Sequence, residues 1–196
     1  MHLMKKLWIT LKAKIHNNAY LLSILIGLFT TVIVLTYVIV NVVWINGEVR
    51  GRSMQPNFYN GDRVFAAPNA DIHRGDIIII DPPGSVENKP FIKRVIGLPG
   101  DTITSKNDVT YINGHAINEP YLDPYKAKLK SGQLLTPDFS LQKSFGTKKV
   151  PRHSYFVLGD NRHQSVDSRV FGFVSHDRVI GVVKMRFWPL NRITFY

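Results

Sequence analysis

The 196-residue chain contains no cysteine. This absence excludes a disulfide framework, a thiolate zinc site and a cysteine nucleophile. Its seven histidines are scattered and form no His-x-x-x-His pair or similar cluster, so we expect no metal centre. A Gly-x-x-x-x-Gly-Lys-Ser/Thr run is also missing, and no cofactor is expected. The fold must therefore be stabilised by an apolar core, which a hydrophobic content of 44% allows.

Charged residues are missing from one long window, since no Asp, Glu, Lys or Arg occurs from Ile15 to Gly47. Within it, Tyr20 to Val40 is almost wholly apolar and, as a helix, would cover roughly 30 Å, the thickness of bilayer hydrocarbon. We therefore predict a transmembrane anchor over residues 19–45. A cleaved secretory signal is the alternative, but its apolar run is usually about 7–15 residues and ends at a small-x-small site. The longer run without such a site favours an uncleaved anchor.

The net charge of +11 is distributed unevenly about this window. Four lysines and no acidic residue precede the apolar run: Lys5, Lys6, Lys12 and Lys14. Because basic flanks stay on the cytoplasmic side, residues 1–18 should be cytoplasmic and residues 46–196 extracytoplasmic in a single-pass protein of the cell membrane. The remaining positive charges are dispersed, which favours anionic lipid headgroups as partners and argues against nucleic acid.

Residues 46–196 contain short β-type runs separated by Gly/Asp turns, at 64–67, 77–80, 155–158 and 179–187. The clearest hairpin signal is the run 109–117, because Asn113-Gly114 tolerates the positive φ angles of a tight turn. The fold class is therefore mainly β: an N-terminal transmembrane helix followed by an antiparallel sheet or barrel-like domain. Residues 123–149 are polar and lysine-rich, and we expect an exposed excursion over about 104–150 that need not belong to the core.

Three segments contain more reactive side chains than turns or strands require: 51–56, 91–101 and 159–172. Ser53 precedes a turn, which alone is ordinary turn chemistry. Lys93 interrupts an apolar strand, and the apolar residues on both of its faces indicate that the lysine is partly buried. Burial lowers the pKa of an amine from about 10.4, so that a useful fraction could accept a proton near neutral pH. A Ser-His-Asp site using His163 and Asp160 is an alternative, but Ser53 lacks the Gly-x-Ser-x-Gly elbow.

Together the three segments resemble motifs of the bacterial type I signal peptidases, which are membrane-bound Ser/Lys endopeptidases. Ser53-Met54-Gln55-Pro56 is similar to their Ser-Met-x-Pro box, and residues 93–101 are similar to their Lys-Arg-x-x-Gly-x-Pro-Gly-Asp box. Residues 159–172 are similar to their Gly-Asp-Asn-x-x-x-Ser-x-Asp-Ser-Arg-x-x-Gly box. The single anchor, and Gly51 two residues before the serine, resemble the Gram-positive type. The three boxes follow the anchor in the order of the family.

The resemblance implies a role for each matched residue. Ser53 would be the nucleophile and neutral Lys93 its general base, with the backbone N–H of Ser53 donating to the oxyanion. Ser165 would hydrogen-bond the Lys93 amine. Two supporting ion pairs would brace the site: Asp160 with Arg94, and Asp167 with Arg169.

The substrates implied by the resemblance are the signal peptides of exported pre-proteins, cut after small residues at positions −1 and −3. Apolar residues at matching positions would form the substrate pockets: Val49, Phe58, Ile92 and, beside them, Phe91. Most relatives have Thr-Leu after the proline, where this chain has Asn57-Phe58. We expect Asn57 to replace the threonine in a local turn hydrogen bond. We also expect Phe58 to narrow a pocket, so that Phe58→Leu would widen tolerance at −3.

A function of another class is a non-catalytic membrane-tethered module that assists the assembly of surface structures. The presence of both Ser53 and Lys93 favours the enzyme. The sequence contains no signal for an oligomeric state.

Overall fold

A computed structural model gives the fold and describes residues 2–38, 44–84 and 89–196. Within the first helix it describes the side chains of residues 5, 8 and 18–38. The chain divides into two compact units, Met1–Val43 and Trp44–Tyr196.

The described residues of the first unit form the helix α1 (His2–Val38). Residues Asn18–Val38 are long and apolar enough to cross a membrane, and all of their side chains are exposed. The threonine hydroxyls in this stretch bond to helix carbonyls, as Thr31 Oγ1 does to the Gly27 carbonyl at 2.8 Å. Such bonds leave no free hydroxyl donor in an apolar medium. The helix is therefore compatible with the predicted anchor, whose residues 39–43 lie outside the described residues.

The second unit is mainly antiparallel β, as predicted. In the described residues its main sheet has eight strands in the order β1-β2-β11-β3-β4-β9-β10, with β12 paired to β11. Their bounds are β1 (Ile45–Glu48), β2 (Arg63–Ala67), β3 (Ile77–Ile80), β4 (Phe91–Gly97), β9 (Ser154–Leu158), β10 (Val174–Ser175), β11 (Val179–Trp188) and β12 (Thr194–Phe195).

The main sheet is buried on both faces, which is clearest in β3. Its four isoleucines alternate between two apolar clusters, because successive side chains of a strand point to opposite faces. Ile77 and Ile79 pack with Val49, Met54 and Phe58 in one cluster. Ile78 and Ile80 pack in the other cluster with residues of β4, β9, β10 and β11.

A smaller sheet, in the order β7-β6-β5-β8, follows the main-sheet strand β4. It consists of β5 (Ile103–Lys106), β6 (Val109–Ile112), β7 (His115–Ala116) and β8 (Phe139–Ser140). The predicted hairpin is confirmed: Ile112 pairs with His115 across Asn113 and Gly114, whose φ angles are 52° and 83°. The described part of the unit also contains short 3-10 helices and three short α-helices: α2 (Asp123–Lys126), α3 (Leu141–Phe145) and α4 (Ser168–Phe171).

The smaller sheet corrects one expectation about residues 104–150. Lysines of this segment, such as Lys128 and Lys143, are exposed, but Leu135 and Leu141 are buried. Leu141 belongs to a third apolar cluster that includes Phe156 and Leu158 of β9 in the main sheet. Isolated apolar residues in a lysine-rich run show no regular period. The sequence pattern therefore did not indicate that Leu135 and Leu141 are buried.

Candidate active site

Ser53 lies in the loop 49–62, which joins β1 to β2. The loop is held from the third motif, because the backbone N–H of Asn161 donates to the Ser53 carbonyl at 2.9 Å. The side-chain amide of Asn161 also donates to the Arg52 carbonyl at 3.2 Å. One asparagine thus contacts the main chain at the serine and at the residue before it, which restricts the position of the serine.

Lys93 lies on β4 with its amine directed at that serine. Its Nζ is 2.9 Å from Ser53 Oγ and 3.0 Å from the Ile92 carbonyl oxygen. The residue is only 3% exposed. Burial lowers its pKa to about 8, although the carboxylates of Asp167 and Asp160 act in the opposite direction. At pH 7 roughly one such amine in ten is neutral, compared with about one in 3,000 for an ordinary lysine.

Asp160 joins the loop that carries Ser53 to the strand that carries Lys93. Its carboxylate accepts hydrogen bonds from Arg94 Nε at 2.8 Å and Arg94 Nη2 at 2.7 Å, which confirms the predicted ion pair. It also accepts a bond from the Asn57 amide at 2.8 Å. The expectation that Asn57 makes a local turn bond is therefore wrong: its amide crosses to a carboxylate 103 residues further along the chain.

Asp167 makes the second predicted ion pair. Its oxygens accept bonds from Arg169 Nε and Nη2, both at 2.8 Å. The same carboxylate accepts the backbone N–H of Gly159 at 3.0 Å and that of Arg169 at 3.2 Å, at the start of α4. Asp167 thereby joins α4 to the end of β9, where the third motif begins.

Ser165 is close to the nucleophile, but it does not make the predicted bond to Lys93. Its Oγ is buried and has no hydrogen-bond partner among the described residues. The Lys93 amine is directed instead at Ser53 Oγ and the Ile92 carbonyl. A Cβ added to Gly159 would lie 2.2 Å from Ser165 Oγ and 2.5 Å from the Ser53 carbonyl oxygen, so all three residues crowd one point.

A groove of about 520 Å³ opens beside Ser53 and Lys93. Three of the four predicted substrate-contacting residues line it: Val49, Phe91 and Ile92. Phe58 does not, which corrects the expectation for that residue. Phe58 is fully buried, and its ring stacks on that of Tyr196 with centroids 5.1 Å apart. The large side chain fills the core behind the loop rather than a pocket in front of it.

The groove also contains residues that sequence analysis missed. Gln164 and Val166 line it, together with residues 45–47 of β1. Gln164 and Val166 occupy variable positions of the third motif, so the motif itself carried no signal for them. His163 lies between the motif residues but is exposed, with Nε2 2.8 Å from the Leu134 carbonyl oxygen. Because Nε2 contacts the carbonyl of Leu134 and not Ser53, the contact does not support the Ser-His-Asp alternative.

A buried ion pair between Glu119 and Arg162 was also not predicted. Both side chains are almost completely buried. Arg162 donates from Nε to the Gly159 carbonyl at 3.0 Å and from Nη1 to Thr136 Oγ1 at 2.9 Å. The pair therefore connects the region of the smaller sheet with the start of the third motif. Residues 119–121 form a Glu-Pro-Tyr sequence, but no sequence pattern indicates that Glu119 pairs with Arg162.

Comparisons with known proteins identify the family of the chain. A serine hydroxyl beside a buried amine, in an open groove of a β fold, is an arrangement that defines a class of serine peptidases. The family model described as "Signal peptidase, peptidase S26" matches residues 22–188. The chain belongs to this signal peptidase family and is a serine peptidase, a hydrolase.

Individual relatives are similar over most of the chain. A signal peptidase I of Bacillus caldolyticus is 43% identical over 157 residues, covering 78% of this chain and 84% of the relative. Signal peptidase I V of Bacillus subtilis (strain 168) is 43% identical over 155 residues, covering 77% and 90%. The crystal structure of a signal peptidase I from Enterococcus faecalis V583 is 41% identical with a TM-score of 0.55, covering 58% of this chain and 97% of that one.

Proposed function

We propose that the protein is a membrane-anchored endopeptidase that removes signal peptides from exported pre-proteins, with Ser53 as nucleophile and Lys93 as general base. The 2.9 Å separation of Lys93 Nζ from Ser53 Oγ is the observation that carries the proposal. Buried surroundings provide the second requirement, since they bring the pKa of the amine to about 8. Family membership supports the substrate class.

The reaction proceeds in two steps, acylation of Ser53 and hydrolysis of the resulting ester. Neutral Lys93 accepts the hydroxyl proton as Ser53 Oγ attacks the carbonyl carbon of the scissile peptide bond. The C–N bond then breaks, Lys93 returns the proton to the leaving amine, and the signal peptide remains esterified to Ser53. Water next attacks the ester carbonyl carbon while Lys93 accepts one of its protons. The C–O bond to Ser53 Oγ then breaks, Lys93 returns the proton to that oxygen, and the signal peptide leaves with a new C-terminal carboxyl group. The backbone N–H of Ser53 donates to the oxyanion in both steps.

Signal peptides with small residues at −1 and −3 suit this groove. Val49, Phe91 and Ile92 line it with apolar side chains close to the reactive pair. A pocket of this kind distinguishes side chains by about 1–3 kcal/mol per methylene-sized difference. β1 is an edge strand of the main sheet, and its residues line the same groove. An extended peptide could therefore add to the sheet through main-chain hydrogen bonds.

The membrane topology belongs to the same proposal. Helix α1 spans the bilayer once, with residues 1–18 in the cytoplasm and residues 46–196 outside. The absence of native cysteine makes the test direct, because single cysteines introduced at exposed sites such as Lys5 and Lys143 can be labelled without background. In intact cells an impermeant maleimide should label only Lys143→Cys.

Cleavage of a pre-protein in detergent or vesicles tests the activity. The wild-type chain should cut a substrate with an Ala-x-Ala leader once, after position −1, as mass spectrometry of both products would establish. A leader with a bulky residue at −1 is the control and should remain intact. Absence of cleavage for every leader would favour the non-catalytic tethered module.

The rate of cleavage should rise with pH through a single ionisation and then level off. Because Lys93 acts only when neutral, kcat/KM should rise about tenfold per pH unit below pH 7 and reach half its maximum near pH 8. The measurement is a pH–rate profile with a substrate free of titratable side chains near the cleavage site. A profile that is flat from pH 6 to 9, or one with its midpoint above 10, would contradict the assignment of the base.

Substrate preference should change at Ile92 and not at Phe58. Ile92→Ala removes an apolar side chain from the groove, so leaders with Val or Leu at −1 or −3 should gain about tenfold relative to Ala leaders. Phe58→Leu is the matched control, because Phe58 is buried behind the loop. Its preference among the same leaders should equal that of the wild type, and a widened preference would restore the original expectation for this residue.

A further inference from the structure

Residues 186–196 contact the loop that carries Ser53, at positions 57–62. Phe58 of the loop stacks on Tyr196, with ring planes inclined at 27° and centroids 5.1 Å apart. Tyr196 is itself fixed to the main sheet, because its backbone N–H donates to the Lys184 carbonyl at 3.0 Å. The family match ends at residue 188, so Tyr196 lies outside the matched region.

Arg186 makes a second connection between the same two parts. It is 7% exposed, and it donates from Nη1 to the backbone carbonyl of Asn57. Its other nitrogens hold the following segment, through Nε to the Arg192 carbonyl at 2.7 Å and Nη2 to Thr194 Oγ1 at 2.8 Å. The guanidinium also lies 5.4 Å from the centre of the Phe58 ring.

Arg192 makes a third connection at the end of the loop. Its Nη2 is 2.8 Å from Asp62 Oδ2, and its guanidinium lies 4.5 Å from the centre of the Tyr59 ring. Asp62 is buried and accepts the backbone N–H of Tyr59 at 2.9 Å. Ring stacking, a carbonyl contact and an ion pair with the buried Asp62 therefore hold residues 57–62 from one direction.

We propose that Arg186, Arg192 and Tyr196, here called the clamp, are positioning residues for the nucleophile, which rests on the proposed function of Ser53. The clamp sets the loop against the strand of the general base through Asn57. The Asn57 carbonyl is held by Arg186, while its side-chain amide donates to Asp160 at 2.8 Å. Asp160 is in turn paired with Arg94, the residue that follows Lys93 on β4.

The physical effect of the clamp is on catalysis more than on binding. None of its residues lines the groove, so substrate affinity should not depend on them directly. A misplacement of about 1 Å between reacting atoms can cost about 100-fold in rate. Relaxation of the loop should therefore lower kcat and leave KM nearly unchanged.

The test compares substitutions of two neighbouring aromatic residues. Tyr196→Ala removes the ring that covers Phe58 and should lower kcat about tenfold with KM within about twofold. Tyr196→Phe keeps the stacked ring and should restore kcat to within about twofold of the wild type. Phe195→Ala is the matched control, since Phe195 is 75% exposed, and its kcat should equal that of the wild type. All four proteins are assayed at a temperature where circular dichroism shows them folded.

Two further measurements separate positioning from general destabilisation. Phe58→Leu should lower kcat, and adding it to Tyr196→Ala should cost little more, because the two substitutions break one contact. Hydrogen exchange of residues 53–62 should accelerate in Tyr196→Ala and not in Phe195→Ala. This readout needs no peptidase activity, so it tests the clamp even if the wild-type protein cleaves no leader. Wild-type kcat and unchanged exchange in Tyr196→Ala would overturn the proposal, as would equal losses in the two alanine variants.

Discussion

Ser53→Ala and Lys93→Met should each lower kcat/KM for pre-protein cleavage by at least about three orders of magnitude. Ser53→Ala removes the oxygen that becomes acylated. Lys93→Met keeps a long apolar side chain but removes the amine 2.9 Å from that oxygen. Because the two residues act as a unit, the double variant should be no less active than the worse single variant. Comparable cleavage by both variants and the wild type would exclude the proposed chemistry.

Stability provides an independent measurement on the same variant. Lys93 has a pKa of about 8 in the folded chain and an ordinary value near 10.5 when unfolded. The unfolded state therefore binds more protons between these two pH values, and the stability contributed by this group rises with pH across that window. Below pH 8 the buried amine costs about 3 kcal/mol of unfolding free energy. Lys93→Met should remove this cost, so the inactive variant should unfold at a higher temperature than the wild type at pH 7.

The opposite result, a lower stability of Lys93→Met at pH 7, would contradict the predicted cost of burying the amine. In that case Lys93→Met would be less stable than the wild type at pH 7, with the same dependence of unfolding free energy on pH. Burial of the amine would then not destabilise the fold. The hydrogen bonds from Nζ to Ser53 Oγ and the Ile92 carbonyl would then outweigh the cost of burial. Activity and stability thus test the base and its low pKa separately.

Gly159→Ala should lower kcat by about 100-fold, the second-largest effect that we expect. The added Cβ would lie 2.5 Å from the Ser53 carbonyl oxygen and 2.2 Å from Ser165 Oγ. A side chain could rotate away, but a backbone carbonyl can move only with the residue that carries it. Ser53 must therefore shift relative to Lys93, which disturbs the geometry required for proton transfer. KM should change little, since the shift acts at the reacting atoms.

The control for Gly159→Ala is Gly97→Ala, at another glycine with no room for a side chain, which lies at the end of β4. A Cβ added to Gly97 would lie 2.3 Å from Ile103 Cδ1 and 3.2 Å from Phe156 Cβ, within the core beneath the smaller sheet. Overpacking there should cost about 1–3 kcal/mol of stability and leave kcat close to the wild-type value. If Gly97→Ala and Gly159→Ala lost kcat equally, the effect at Gly159 would reflect folding and not the position of Ser53.

The strands and the hairpin of the second unit were predictable because their signals are local. The φ angles at Asn113 and Gly114 follow from two residue types that tolerate them, and the four isoleucines of β3 indicate a strand. The ion pairs of Asp160 and Asp167 were anticipated through a family resemblance. No pattern within the chain connects Asp160 with Arg94, which is 66 residues away.

The errors concern side chains whose partners are distant in the sequence. Phe58 was expected in the groove and is covered by Tyr196, a contact that spans 138 positions of the chain. Asn57 was expected to bond locally and instead reaches Asp160. Leu141 was expected in an exposed segment and packs beneath β9. In each case residue type was consistent with both outcomes, and only the folded arrangement distinguished them.

By itself the sequence determined the apolar N-terminal helix, the β character of residues 46–196 and the reactive residues available, since hydropathy, turn chemistry and motifs are properties of neighbouring residues. Tertiary structure alone decided that Phe58 lies outside the groove, that the Asn57 amide donates to Asp160, and that the segment after β11 contacts the loop of the nucleophile. The physical reason is that desolvation, hydrogen bonding and packing depend on which surfaces meet, and the residues that meet here are far apart in the sequence, as Asn57 and Asp160 are.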